Sequence, residues 1–182
     1  MLLVCEGRVT EPNYFKELRN AARDNRYTLE IVTSKHRDPL GMVEFAKDEA
    51  NTRGLNKKNG DVVWCVFDKN NNPHENIKKA LSSCSSCFRI ALSNPCFELW
   101  FLLHFQDQMG TIDCGETIEE LRKFLPDYRK DKNVYVNLQE SIWDAVKQSE
   151  KLIDYHYTNG FEPLTQCPVT FVHEIIKEVL GP

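Results

Sequence analysis

The stretch that decides the fold is Val62-Val63-Trp64-Cys65-Val66-Phe67-Asp68, in which six apolar residues run into a carboxylate. A run this short and this apolar is typical of a strand that is buried on both faces. Three further strands are predicted at residues 2–5, 27–34 and 88–92, and segments with helical spacing separate them. Strands joined by helices are parallel. The sequence therefore predicts an α/β fold, a three-layer α/β/α sandwich around a mainly parallel four-stranded sheet.

The second half of the chain has a different pattern. Helices are predicted at about 116–125, 139–157 and 168–180, and no long apolar strand accompanies them. We expect residues 1–105 to form the α/β core and residues 106–182 to form a helical extension that packs on it. The predicted order of the strands in the sheet is 2-1-3-4.

Composition excludes some classes of function. The 182 residues include 23 Lys and Arg against 27 Asp and Glu, a net charge of -4, so the chain is not a basic protein that coats nucleic acid or membranes. A nucleic-acid enzyme with a local basic patch remains possible. No apolar run reaches the length of a membrane span, and the start of the chain lacks the basic region of a signal peptide. Seven cysteines, several of them inside apolar strings, favour a reduced, cytoplasmic protein.

Polar side chains follow two of the predicted strands. Glu6 comes after the first strand, and Asp68 and Asn70 come after the third. Ligands in parallel sheets bind beyond the carboxyl ends of the strands, so Glu6 and Asp68 are expected about 5 Å apart if their strands are neighbours. Such oxygen ligands favour Mg²⁺ or Mn²⁺. The alternative is that acids end strands only because loops are polar.

Glu98 is a further candidate ligand. It lies in the first turn of the predicted helix 96–105, which is apolar nearly all round and should be buried. A buried carboxylate is normally paired with a cation or bound to a metal, so a salt bridge to Arg or Lys is the competing explanation. His74 is well placed near the site, in the loop after the third strand, whereas His104 is more typical of a satisfied core or surface histidine.

Basic residues near these positions are candidates for phosphate binding. Lys69 is adjacent to Asp68, and the densest basic cluster comprises Arg129, Lys130 and Lys132. Tyr128 and Tyr135 flank this cluster and suit stacking on unpaired bases. A solvated surface is the alternative explanation for the cluster.

A zinc site has weaker support. Cys84-x-x-Cys87 is half of such a site, and no second Cys-x-x-Cys or His pair follows it at matching spacing, although Cys96 and Cys114 remain available. No glycine-rich phosphate loop is visible.

Three blocks in order carry a family resemblance: LVCEG-x-x-TEPNYF, VVWCVFDKNNNPH and ALSNPCFELWFLLHF. The chain resembles the RloB family over residues 2–105, and more loosely to the end. These proteins are encoded beside bacterial restriction or anti-phage genes and are taken to carry a Toprim-type nuclease domain. Toprim relatives include the overcoming-lysogenisation-defect nucleases, topoisomerases and primases.

The resemblance implies specific roles. Glu6 matches the glutamate that acts as metal ligand or general acid-base, and Asp68 matches the first member of an Asp-x-Asp metal pair. Asn70 stands where the second acid would be; an amide oxygen can ligate Mg²⁺ but brings no charge, so metal affinity should be lower. Asn94 and Glu98 match the Ser-Asn-Pro-Cys-Phe-Glu block, and we expect Asn94 to bind substrate and Glu98 to bind metal.

The function that the resemblance implies is metal-dependent cleavage of nucleic-acid phosphodiesters in phage defence, with DNA or RNA as substrate and a companion ATPase as a possible partner. A second hypothesis, motivated by Asn70, is a catalytically weakened Toprim-like domain that binds nucleic acid or a partner protein. A third is a receiver-like or flavodoxin-like signalling domain. It is less well supported, because a receiver would have a pair of acids after the first strand and a Lys after a late one.

Overall fold

The computed structural model describes residues 1–22, 28–70, 72–84 and 87–181. Five strands form one sheet in the order β2-β1-β3-β4-β5. The α/β class and the predicted order of the first four strands are therefore confirmed. The described strands are β1 (Leu2–Cys5), β2 (Glu30–Thr33), β3 (Val63–Asp68), β4 (Phe88–Asn94) and β5 (Val169–Thr170).

Helices connect the strands and fill the rest of the chain. The described α-helices are α1 (Thr10–Ala21), α2 (Pro39–Thr52), α3 (His74–Ser83), α4 (Glu98–Leu102), α5 (Cys114–Phe124), α6 (Tyr135–Leu138), α7 (Ile142–Thr158) and α8 (Val172–Leu180). Short 3₁₀ turns cover Lys57–Asn59, Gln139–Ser141 and Pro163–Thr165. No helix among the described residues is both long enough and apolar enough to cross a bilayer.

The sheet is mostly parallel. β1 pairs in parallel with β2 and with β3, and Cys5 lies opposite Thr33 on one side and Val66 on the other. β5 pairs with β4 in the antiparallel direction, and Asn94 lies opposite Val169. The predicted count of four strands omitted β5, because a strand of two residues is too short to show an alternating pattern. The sequence instead places residues 169 and 170 in the predicted helix at about 168–180.

The chain divides into two compact units, and each is described by itself. The first comprises Met1–Phe67 and Asn71–Ala91, and the second comprises Asp68–Asn70 and Leu92–Pro182. Residues 92–105, which are predicted from the sequence to belong to the α/β core, therefore lie in the second unit.

In the first unit, β1 is fully buried, as an all-apolar strand should be. α1 packs against β2, and α2 packs against β1 and α3. α2 begins at Pro39, because the Asp38 side chain accepts a hydrogen bond from Gly41 N–H and Pro39 occupies the first turn. α1 ends at Ala21, and residues 23–27, including the predicted start of the second strand, lie outside the described part of the chain.

In the second unit, α4 packs against α5, α7 and β5, and α7 packs against α8. α5 begins with a capping box, in which Asp113 and Glu116 exchange side-chain and backbone hydrogen bonds. The predicted helix 96–105 is shorter than expected, since β4 continues to Asn94 and α4 covers only Glu98–Leu102. All five residues of α4 are buried, as its apolar sequence predicts.

His104 is a core histidine of the second unit, which confirms one of the two alternatives drawn from the sequence. Its Nδ1 lies 2.8 Å from the carbonyl oxygen of Trp100. Burial lowers its pKa from 6.5 to about 4, and the opposing effects of the Trp100 and Phe101 backbone and of Asp144 are smaller. His104 is therefore neutral in the folded protein at pH 7.

Because of this histidine, the folded protein should become less stable as the pH falls below 7. In the unfolded chain His104 takes up a proton near pH 6.5, whereas in the folded protein its pKa is about 4. Unfolding therefore takes up a proton between these values, and the free energy of unfolding should drop by up to about 3 kcal/mol from this group as pH falls from 7 to 4. Denaturant unfolding at several pH values should show a shallower loss for His104→Gln than for the wild type. His74→Gln, at the exposed start of α3, is the control. Equal pH slopes for the wild type and His104→Gln would contradict the assignment of this stability loss to His104.

Candidate functional site

The turn after β3 carries two of the predicted ligands. Asp68 is the last residue of β3, and the N–H of Lys69 donates to the carbonyl of Ser93 at 2.8 Å. Asn70 has a φ of 46°, in the left-handed region that asparagine tolerates better than most residues. Its Nδ2 donates to the Asp68 carbonyl oxygen at 3.4 Å. The turn therefore holds the side chains of residues 68–70 at the carboxyl end of the strand.

Glu98 is a buried carboxylate with two partners in the second unit. It is the first residue of α4 and is 1% exposed. Tyr128 donates its hydroxyl to Oε1 at 2.9 Å, and Nζ of Lys130 lies 3.6 Å from the same oxygen. The salt bridge considered from the sequence is thus present. Its lysine side chain is 62% exposed, so this cation can move away while the carboxylate stays buried.

Two thiols lie beside Glu98. Cys96 is buried just before α4, and Cys114 is half-buried at the start of α5. The sulfur atoms and a Glu98 carboxylate oxygen all lie within 4.8 Å of one another. A hydrogen bond from Cys96 lowers the pKa of Cys114, and the same bond, together with burial, raises the pKa of Cys96. The contact between the two sulfurs therefore favours a thiolate at Cys114 over one at Cys96.

Asp68 belongs to the same group of charges. Its carboxylate raises the pKa of Cys96 and of Lys130 as a smaller contribution beside larger ones. For Lys130, partial burial lowers the pKa, but the surrounding negative charges, with Glu98 the largest, outweigh it, and the net pKa is raised. The second unit thus brings Asp68, Glu98 and Lys130, three of the predicted site residues, into one electrostatic environment together with two thiols.

Asn94 ties the end of β4 to the loop before β5. Its Nδ2 donates to the carbonyl oxygen of Gln166, and the peptide bond to Pro95 is cis. The predicted contact of Asn94 with substrate stays a prediction.

The basic cluster is interspersed with acids. Arg129 pairs with Asp131 at 3.3 Å, and Lys132 pairs with Asp127 at 3.5 Å. Both cations are exposed, and such pairs are weak in water, so they leave the cations available for phosphate. A cavity of about 170 Å³ lies beside the cluster, and its lining includes Phe124, Asp127, Tyr128, Lys132 and Asn137.

The predicted stacking of bases on Tyr128 and Tyr135 is wrong. The two side chains are 2% and 5% exposed, so their rings are not available to an unpaired base. Tyr128 instead packs edge-on against Phe101 and hydrogen-bonds Glu98. The sequence carried no signal for this contact, because 30 residues separate the two partners.

The pairing of Cys96 with Cys114 was also missed. From the sequence, Cys96 and Cys114 are only possible partners of Cys84 and Cys87 in a zinc site. The separation of Cys96 from Cys114 matches no metal-binding spacing. The ligand group that the described residues form contains neither Cys84 nor Cys87.

Glu6 and His74 belong to the first unit. Glu6 follows β1 directly, and its N–H donates to the carbonyl of Val66 at 2.9 Å. Next to it, the N–H of Gly7 donates to Oε1 of Glu11, a buried acid in α1 that the sequence analysis did not single out. His74 is exposed as the first residue of α3. The catalytic role of Glu6 and the substrate contact of His74 stay predictions.

The comparison with protein families agrees with the resemblance seen in the sequence. A family model described as RloB-like protein matches residues 1–179. No curated protein and no solved structure matches the chain. Because the match covers all but the last three residues, the chain belongs to the RloB-like protein family.

Proposed function

We propose that the protein is a cytoplasmic, metal-dependent nuclease with a Toprim-type arrangement of its sheet and helices, acting in bacterial phage defence. The observation that carries the proposal is the turn at the end of β3, which presents Asp68 and Asn70 where ligands of parallel sheets bind. Family membership supports it, because the three matching blocks contain Glu6, Asp68 and Glu98. A companion ATPase is proposed as its partner in defence.

The donor atoms fit a hard divalent cation. Asp68 contributes a carboxylate and Asn70 an amide oxygen, both of which suit Mg²⁺ or Mn²⁺. In the proposal Glu6 supplies the second carboxylate, and Glu98 adds buried negative charge near Asp68. When bound, such a cation neutralises charge on the phosphate and lowers the pKa of water.

The remaining residues have proposed tasks of their own. Glu6 accepts the proton of the attacking water, as a carboxylate general base. Lys69 neutralises the phosphate next to the cut bond, and His74 and Asn94 contact it. Arg129, Lys130 and Lys132 hold the backbone further along by exchanging their acidic partners for phosphates.

A cleavage assay tests this function. The purified protein is incubated with labelled single-stranded DNA, duplex DNA and RNA, in Mg²⁺, in Mn²⁺ and in EDTA. The proposal expects cutting of at least one of these substrates in a divalent metal, and none in EDTA. Retention of a substrate without cutting, at equal strength in EDTA, supports the alternative in which a weakened Toprim-like domain only binds.

Asn70→Asp measures how far the amide weakens the site. Aspartate tolerates the left-handed backbone of residue 70, so the substitution adds a charge without new strain. A further carboxylate close to the cation should lower the Mg²⁺ concentration for half-maximal cleavage about tenfold or more. Cleavage that appears only in Asn70→Asp would favour the weakened domain, and an unchanged Mg²⁺ dependence would place residue 70 away from the metal.

A further inference from the structure

Cys96, Glu98 and Cys114 form a compact set of donor atoms that the proposed nuclease does not use as a set. One atom from each residue lies within 4.8 Å of the other two. In a tetrahedral zinc site with Zn–S bonds of about 2.3 Å, two sulfur ligands lie about 3.8 Å apart. The three side chains therefore lie close enough together to hold one metal ion between them.

The chemistry of the donors selects the metal. Thiolates prefer Zn²⁺ and other soft cations, whereas Mg²⁺ and Mn²⁺ prefer oxygen. Two sulfurs and one carboxylate oxygen thus make a poor magnesium site and a good zinc site. Binding of both sulfurs as thiolates would release one proton from each thiol.

The surroundings support a cation at this position. Tyr128 fixes Glu98 with a hydrogen bond of 2.9 Å, as outer hydrogen bonds do for carboxylates that ligate metals. An ammonium group already stands 3.6 Å from this carboxylate, at the tip of the exposed and flexible Lys130. Lys130 therefore balances the buried charge when no metal is bound and can withdraw when one arrives.

We propose that Cys96, Glu98 and Cys114 bind Zn²⁺ through two sulfurs and one carboxylate oxygen, with a fourth position open to water. Three protein ligands and one open position are the arrangement of catalytic rather than structural zinc sites. The site shares Glu98 with the proposed nuclease, but Asp68 and Asn70 are not among its ligands, and zinc binding is measured without a nucleic-acid substrate. Zinc binding can therefore succeed or fail separately from cleavage.

Metal titration of the full chain tests the site. Zn²⁺ is titrated against a chromogenic chelator, and Co²⁺ is used as a probe whose sulfur-to-metal charge-transfer absorption reports thiolate ligands. We expect one Zn²⁺ per chain and a Co²⁺ charge-transfer band. Cys114→Ser should weaken Zn²⁺ about a hundredfold or more and abolish the band. Lys130→Met should strengthen Zn²⁺ severalfold, because it removes a competing cation.

The double variant Cys84→Ser/Cys87→Ser is the control, since it removes two half-buried thiols outside the group. Its Zn²⁺ affinity should equal that of the wild type. The proposal is overturned if the wild type binds no Zn²⁺ at micromolar concentration, if Cys114→Ser binds as tightly as the wild type, or if the control variant is the one that loses the metal. Should Cys114→Ser fail to fold, Glu98→Gln provides the same test, because glutamine can still accept the Tyr128 hydrogen bond.

Discussion

Asp68→Ala is expected to lower the rate of metal-dependent cleavage about a thousandfold, or to below detection. The carboxylate ends β3 and is the acid nearest to Asn70 in the turn. In the proposed site it holds the cation that stabilises the phosphate, and loss of that stabilisation costs several kcal/mol of the barrier, about 4 kcal/mol for a thousandfold. The measurement is the single-turnover rate at saturating Mg²⁺ on the substrate that the wild type cuts best.

Asp154→Ala provides the comparison for this result. Asp154 is an exposed acid on α7 of the same unit, and its removal changes the net charge by the same amount. Its cleavage rate should match that of the wild type. If Asp68→Ala melts like the wild type and retains cleavage, Asp68 does not hold a catalytic metal.

Phe101→Ala should lower the free energy of unfolding of the second unit by about 3–5 kcal/mol. Phe101 is 2% exposed in α4, and its ring packs edge-on against Phe97 at 5.3 Å and against Tyr128 at 6.1 Å between centroids. Truncation leaves a cavity beside the ring of the tyrosine that holds Glu98. Chemical denaturation followed by circular dichroism measures the loss.

Phe161→Ala is the matched control, because the same side chain is 50% exposed there. Its effect should stay within about 0.5 kcal/mol, as for other surface substitutions. Equal losses at the two positions would mean that α4 is not the packed centre of its unit.

The elements that could be predicted are those with strong local signals. β3 is six residues long and is formed by the apolar run that starts at Val62. α2 begins at an Asp-Pro cap. β5 could not be predicted, because its two residues become a strand only by pairing with the end of β4. The division of the chain was equally hidden, since residues 92–105 join the C-terminal helices through contacts distant in sequence.

The candidate site was predictable only in part, because local signals indicate that a residue is buried but not which distant residues it contacts. The position of Glu98 in an apolar helix indicated a buried carboxylate in need of a partner, and the structure supplies Lys130 and Tyr128. Which partners these would be depends on how α4 and α5 and the segment after them pack, and no local spacing encodes that. The thiol pair Cys96 and Cys114 was missed on the same grounds.

The central claim is that Asp68 holds a divalent cation at the end of β3, and direct metal binding tests it without a substrate. Free Mn²⁺ is measured by its electron paramagnetic resonance signal during titration of the full chain, because manganese prefers oxygen ligands to the thiols near Glu98. The account predicts that Asp68→Ala weakens Mn²⁺ binding about tenfold or more, while Asp154→Ala leaves it unchanged. Wild-type Mn²⁺ affinity in Asp68→Ala would contradict the claim.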